Sequence, residues 1–403
     1  MISVSRIYYL FFVIMLFMGL YFYNALPLEF IDELLLYLLL AFSVFVAIEK
    51  RCISNFRGVW LILGIFLFYL LYSLFVTKIN TPKAAFNDFI IQLKPFIAFF
   101  CTYSLNPQFT VKEKKILRYI CGILAVLMFL IFFLPGGLWE KIFSHFAYFG
   151  IYATILSMIY YYCSPGDKKS KIYTLLILSV GVLGGRSKFY GFFVLAVFML
   201  YFFTPDMLKK LKLKYVLGSV IVIVVIIFVA WNKITYYFIE NDEYATTEIT
   251  ETAARAALYA KAPEIIADYI PFGSGLGTYA TYSSGLYYSP LYEKYDLDEV
   301  WGLSQEEGTF ISDTFYPELA QFGIFGVILF ILFIRYIYSK IKDNQKNIQE
   351  KDVQIAVLML AFILIESIAG SVFLQGGGAM AMVIMALALN DNYKNSPVCY
   401  DNK

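Results

Sequence analysis

The stretch KIYTLLILSVGVLGGRSKFYGFFVLAVFMLYFF, residues 171–203, decides how the chain threads a membrane. As one helix it would run about 50 Å, against a hydrocarbon core of about 30 Å. Lys168, Lys169 and Lys171 lie at its start, and Lys209, Lys210, Lys212 and Lys214 follow it. The positive-inside rule puts both clusters on the cytoplasmic face. The stretch must therefore go out and come back. Its reversal is expected at Gly184-Gly185-Arg186-Ser187-Lys188, since glycine permits tight turns. Arg186 and Lys188 then sit at the outer face, where basic residues are disfavoured.

The rest of the chain fits this reading. Residues are 60% hydrophobic and only 15% charged, far below the roughly 25% charged content of soluble domains. Apolar runs long enough for a membrane helix recur almost throughout, without the alternation of a barrel. The expected spans are 7–23, 31–48, 58–76, 84–104, 116–134, 143–163, 171–184, 188–203, 214–232, 318–338, 353–370 and 372–389. The first run lacks a small-residue cleavage site and reads as a span. Basic connections after spans two, four, six, eight and ten put these loops and both termini in the cytoplasm. The expectation is an all-α, polytopic membrane helix bundle of about twelve spans. It forms one domain, 1–403, with one large exterior loop at 233–317.

That loop holds 14 acidic and four basic residues. Its length implies function or disorder, and its wealth of Tyr and Trp argues against disorder. Residues 248–268 read as an Ala-rich helix carrying Arg255 and Lys261. Five cysteines are present, none in this loop, so no structural disulfide is expected.

Arginine presents a planar fork suited to phosphate oxygens. Arg186 and Arg255, of seven arginines, are the two on the outer side. With Lys188 they suggest an anion site, although long basic side chains also snorkel at membrane edges. The segment Asp268-Tyr-Ile-Pro-Phe-Gly273-Ser-Gly275-Leu-Gly277-Thr-Tyr279 suits a tight turn with exposed N–H groups. Ser312-Asp313 precedes Gly323-Ile-Phe-Gly326, with Glu318 just inside the membrane. Asp313 is a candidate base or a helix cap. Asp88, Lys94 and Glu366 are charges at membrane depth, hence functional candidates, with an Asp88–Lys94 structural pair as the alternative. His145, the lone histidine, falls at the outer end of span six. It is a catalytic candidate by its intrinsic pKa or simply an interfacial residue. Tyr279, Tyr282, Tyr287, Tyr288, Tyr292, Tyr295 and Trp301 could stack on sugars or pack at an interface.

Taken in order, these segments resemble the O-antigen polymerase and O-antigen ligase superfamily. The motif-level match lies in about 184–190 and 250–326. The resemblance implies a glycosyltransferase of the plasma (inner) membrane whose partner is an undecaprenyl-pyrophosphate-linked oligosaccharide. Arg186, Lys188 and Arg255 would bind the pyrophosphate, Gly273, Gly275 and Gly277 would form a substrate loop, and Asp313, Glu318 or His145 would handle the proton. Membrane lipids, a chain-length regulator and a flippase are further implied partners. No cofactor, metal or nucleic acid is expected. Ligases of the superfamily carry His-Asn where this chain has Ser312-Asp313, which favours a polymerase over a ligase. A lipid-linked oligosaccharide flippase or exporter is the alternative from another class, but no inverted repeat is visible.

Overall fold

The computed structural model describes residues 3–21, 30–135, 138–143, 145–203, 247–343 and 349–390. Among them there is no strand. The longer helices, numbered in chain order, are α1 Val4–Leu16, α2 Ile31–Glu49, α3 Arg57–Tyr72, α4 Pro82–Leu105, α5 Val111–Phe133 and α6 Ala147–Cys163. They continue with α7 Lys168–Ser179, α8 Ser187–Phe202, α9 Thr247–Asp268, α10 Gly323–Asp343, α11 Glu350–Glu366 and α12 Gly376–Asn390. Among the described residues five segments are long and apolar enough to cross a membrane: Ile31–Glu49, Ile53–Thr77, Pro82–Leu105, Val111–Phe133 and Tyr316–Lys342. Each coincides with an expected span. Val4–Gly19, Ser187–Phe202 and Gly376–Asn390 are shorter apolar helices. The expected ninth span, 214–232, lies outside the described residues.

Local chemistry sets the helix ends. Thr81 caps α4 through the Ala84 N–H, with Pro82 in the first turn, and Asn106 ends it in the left-handed region. Thr110 and Glu113 form a reciprocal capping box on α5, which satisfies two of its orphan donors. After α7 the chain tightens into a 3-10 turn, Val180–Gly184. Gly185 then takes φ +64° and α8 begins at Ser187. The break falls where the sequence required a reversal.

The bundle is built around α4, which packs on α2, α3 and α12. Gly377 to Asn390 of α12 are buried without exception. On the outside, Leu61, Phe75, Tyr119, Ile123 and Phe133 are each more than half exposed. Large apolar side chains turned outward in this number suit a lipid surroundings better than water. Residues 247–317 form a structured unit with their own apolar cluster. Ala254, Leu258 and Ile265 of α9 pack there with Tyr279, Tyr292 and Leu303. This matches the helix expected at 248–268.

One expectation is corrected. Cys101, Cys121 and Cys163 are buried free thiols, but Cys52 is disulfide-bonded. The expectation rested on the lack of cysteine in the 233–317 loop, which does not constrain cysteines elsewhere.

Candidate active site at the rim of a membrane-depth cavity

A cavity of about 1110 Å³ opens beside α4. Its wall includes Asp88 and Lys94 of α4, Tyr148 of α6, Ser312, Glu318 and Ser371. Helix α4 can carry polar groups because its neighbours answer them. Asp88 is fully buried, and its Oδ2 accepts the Gly277 N–H at 2.9 Å. Glu318 sits in the 3-10 turn Tyr316–Phe322 that leads into α10. Its two oxygens accept Gln92 Nε2 and Ser371 Oγ, each at 2.7 Å. Ser371 Oγ is also 2.8 Å from the Ser312 carbonyl, so one hydroxyl ties the rim to the wall.

The expected anion-binding residues each meet a protein partner. Arg255 of α9 forms an ion pair with Asp313 through Nη2 and Oδ2. One turn on, Tyr259 donates to the Ile368 carbonyl at 2.7 Å. Burial pushes the Tyr259 phenol up to about 12, so it stays a neutral donor at physiological pH. Lys188 lies 2.6 Å from Glu366 and donates to the Ala369 carbonyl at 2.8 Å. Arg186 Nη2 lies 2.5 Å from His145 Nε2 and 3.2 Å from its Nδ1. Tyr148 of the cavity wall is within electrostatic reach of Asp313. The structure thus joins Arg255 to Asp313 and Arg186 to His145, pairs that sequence reading treated as separate candidates.

Asp313 is not a helix cap. The residue preceding the 3-10 turn is Phe315, and α10 starts only at Gly323. The glycine turn also differs from an open nest. Gly273, Gly275 and Gly277 have φ of +80°, +96° and +71°. A Cβ on Gly273 would fall 2.2 Å from the Gly323 nitrogen, and one on Gly277 2.7 Å from the Ala84 carbonyl oxygen. Gly273 donates to Tyr269, Gly275 to Gln321, and Gly277 to Asp88 and Gln321. With these N–H groups engaged internally, the turn acts as a clasp between α9, α4 and α10.

Two further readings change. Lys94 pairs with Asp32 at 2.8 Å and Glu33 at 2.5 Å, not with Asp88. Asp32 and Glu33 lie in the first turn of α2, where acidic residues also complement the helix dipole, so their type and place carry no signal of this pairing. Tyr279, Tyr292 and Tyr295 are buried in the cluster of the 247–317 unit and cannot stack on a sugar as they stand. Tyr282 and Trp301 are about half exposed, at 51% and 48%. Gln92, Gln321 and Ser371, which hold Glu318 and the clasp, carried no motif-level signal.

Among the described residues no group of three or more His, Cys, Asp or Glu is arranged to hold a metal ion. A comparison with curated proteins found no match. A family model described as O-antigen ligase matches residues 173–331. That stretch runs from α7 to α10 and contains Arg186, Lys188, Arg255, the glycine clasp, Asp313 and Glu318. Over these residues the chain bears the O-antigen ligase family pattern, and its resemblance to the O-antigen polymerase and ligase superfamily is thereby borne out.

Proposed function

We propose that the protein is a polysaccharide polymerase that moves a growing glycan from undecaprenyl pyrophosphate onto a lipid-linked repeat unit at the outer face of the membrane. Members of the matched family are glycosyltransferase-like enzymes acting on lipid-linked glycans. The observation that carries the reading is the juxtaposition, within the matched stretch, of a guanidinium and a carboxylate at the cavity rim. Arg255 holds Asp313, and the neighbouring Ser312 lines the cavity.

In this reaction an acceptor hydroxyl attacks the anomeric carbon. A new glycosidic C–O bond forms, the bond to the lipid pyrophosphate breaks, and the hydroxyl proton needs an acceptor. Charge grows on the leaving pyrophosphate in the transition state, and fixed cations in a water-poor site stabilise it. The resting Arg255–Asp313 pair supports an exchange. When pyrophosphate takes the Arg255 fork, the Asp313 oxygen that Arg255 held becomes available to take the proton. Arg186, held by His145, and Lys188, held by Glu366, are the further cations. Glu318, locked by Gln92 and Ser371, is the second candidate base and better suited to orienting the rim. The twelve-span topology with an exterior 233–317 region belongs to the same proposal, as does the inner-membrane location.

A ligase reading is favoured by one observation, the description of the matching family. Ser312-Asp313 in place of His-Asn argues for the polymerase. The surface glycan of a deletion strain tests the choice. Glycans of a single repeat support the polymerase, polymer retained on its lipid carrier supports the ligase, and an unchanged glycan sinks both.

A further inference from the structure

A second concavity shares no lining residue with the cavity described above. It is a groove of about 570 Å³ on the outer surface of α5, closed on one side by Tyr160 of α6. Its residues fall on one face of α5 at spacings of three and four, the geometry that lines side chains up along a helix. Lys115 and Arg118 stand at one end, and Gly122, Ile123, Val126 and Leu127 run away from them. The charged end belongs to the connection after span four, which the positive-inside rule puts in the cytoplasm.

Three observations point to an occupant. First, Arg118 Nε is buried and has no hydrogen-bond partner. Among the described residues no carboxylate forms an ion pair with Arg118 or Lys115; Lys115 instead lies 5.9 Å over the Tyr119 ring. Glu113, on the same helix, is engaged in its capping box, and Asp167 caps the N-terminus of α7. Second, a Cβ built on Gly122 meets nothing within 4 Å, so the groove stays open at mid-length. Third, Leu127 lies nine positions beyond Arg118. That offset spans about 14 Å of helix, roughly half of a 30 Å hydrocarbon core.

We propose that this groove binds one anionic phospholipid of the leaflet next to Lys115 and Arg118. Its phosphate bonds Arg118 and Lys115, and one acyl chain lies over Gly122 along Ile123, Val126 and Leu127. The one-leaflet length suits a phospholipid chain and is too short for a long polyprenyl tail. Two cations without a facing carboxylate favour a net negative headgroup over a zwitterionic one, whose ammonium they repel. Each basic side chain near a membrane surface contributes about 1 kcal/mol of attraction to anionic lipid, or about fivefold in affinity. The inference stands apart from the proposed transferase reading.

The test is lipid titration of the full-length protein in detergent, read by native mass spectrometry. Phosphatidylglycerol and phosphatidylcholine with the same chains are compared. The first phosphatidylglycerol should bind at least about fivefold tighter than phosphatidylcholine. Arg118→Gln should remove about fivefold of its affinity and leave phosphatidylcholine unchanged. Gly122→Leu, which fills open space without left-handed strain, should weaken binding although both cations remain. Inorganic phosphate at millimolar concentration should not compete, because it lacks the chain. Equal binding of the two lipids by the unaltered protein overturns the proposal. So does unchanged binding in both variants, or tighter binding of undecaprenyl phosphate than of phosphatidylglycerol. Should a variant not keep the normal melting temperature, the headgroup comparison on the unaltered protein still decides.

Discussion

Replacing Arg255 by alanine separates a structural ion pair from a working one. The two side chains keep 23% and 33% of their exposure. A pair that exposed is worth only about 0.2–1 kcal/mol to stability. For a chain of this size that amounts to at most about 2–4 °C in melting temperature. Loss of a preorganised charge at a developing oxyanion costs far more, about 2.7–4 kcal/mol, or 10²- to 10³-fold in rate. Arg255→Ala should therefore cut polymer formation at least about a hundredfold while the melting temperature stays nearly constant. Arg255→Lys should recover little, because a point charge cannot reproduce the fork. Asp313→Asn should lose a comparable factor, and the double variant should be no worse than the poorer single one, as for groups that act as a unit. The assay is chain extension of a purified lipid-linked repeat unit in detergent, with thermal unfolding followed in parallel. Near-normal extension by Arg255→Ala refutes the exchange mechanism. A rate loss that merely follows a large melting loss would make the pair structural.

Lys94→Ala should destabilise the bundle by about 3–5 kcal/mol, because it strands Asp32 and Glu33 in a buried site; adding Asp32→Asn and Glu33→Gln should restore much of the melting temperature, and no recovery would show that Lys94 acts mainly by packing. Gly277→Ala, with φ +71° and the Ala84 carbonyl oxygen in its way, should cost about 1–3 kcal/mol, and an unchanged melting temperature would mean that the clasp can shift. Cysteines placed at Trp301 and Lys169 should label from opposite sides of a sealed vesicle. Both positions are exposed, as labelling requires; labelling from one side contradicts the proposed topology. The Ser170 hydroxyl and N–H hold the Asp167 carboxyl below its usual range. A depressed carboxylate contributes stability above its unfolded pKa and loses it as pH falls through the folded value. The melting difference between the native protein and Asp167→Asn should thus be present at neutral pH and vanish below the ordinary aspartate range.

Much of the fold was legible in the sequence because its signals are local. A run of apolar residues reports a membrane helix whatever it packs against. The reversal at Gly184-Gly185 followed from a length too great for one crossing and from lysines on both sides. The helix of 247–268 showed itself by composition and period. Arg186, Arg255 and Asp313 stood out as residue types in unusual places, which is again a local property.

Partnership was decided by the tertiary structure alone. Lys94 meets Asp32 across 62 positions of sequence, Gln92 meets Glu318 across 226, and Gly277 meets Asp88 across 189. A buried charge needs an opposite charge or a donor within a few ångströms, and nothing in the spacing of α4 says which distant element supplies it. Asp88 and Lys94 share one helix and look like a pair in sequence. The packing of α2 and of the glycine clasp on either side of α4 gives each a separate partner. The same cause turned the three-glycine segment from a nest open to phosphate into a fastener: its positive φ angles could be foreseen from glycine, but the N–H groups point wherever the neighbouring helices stand.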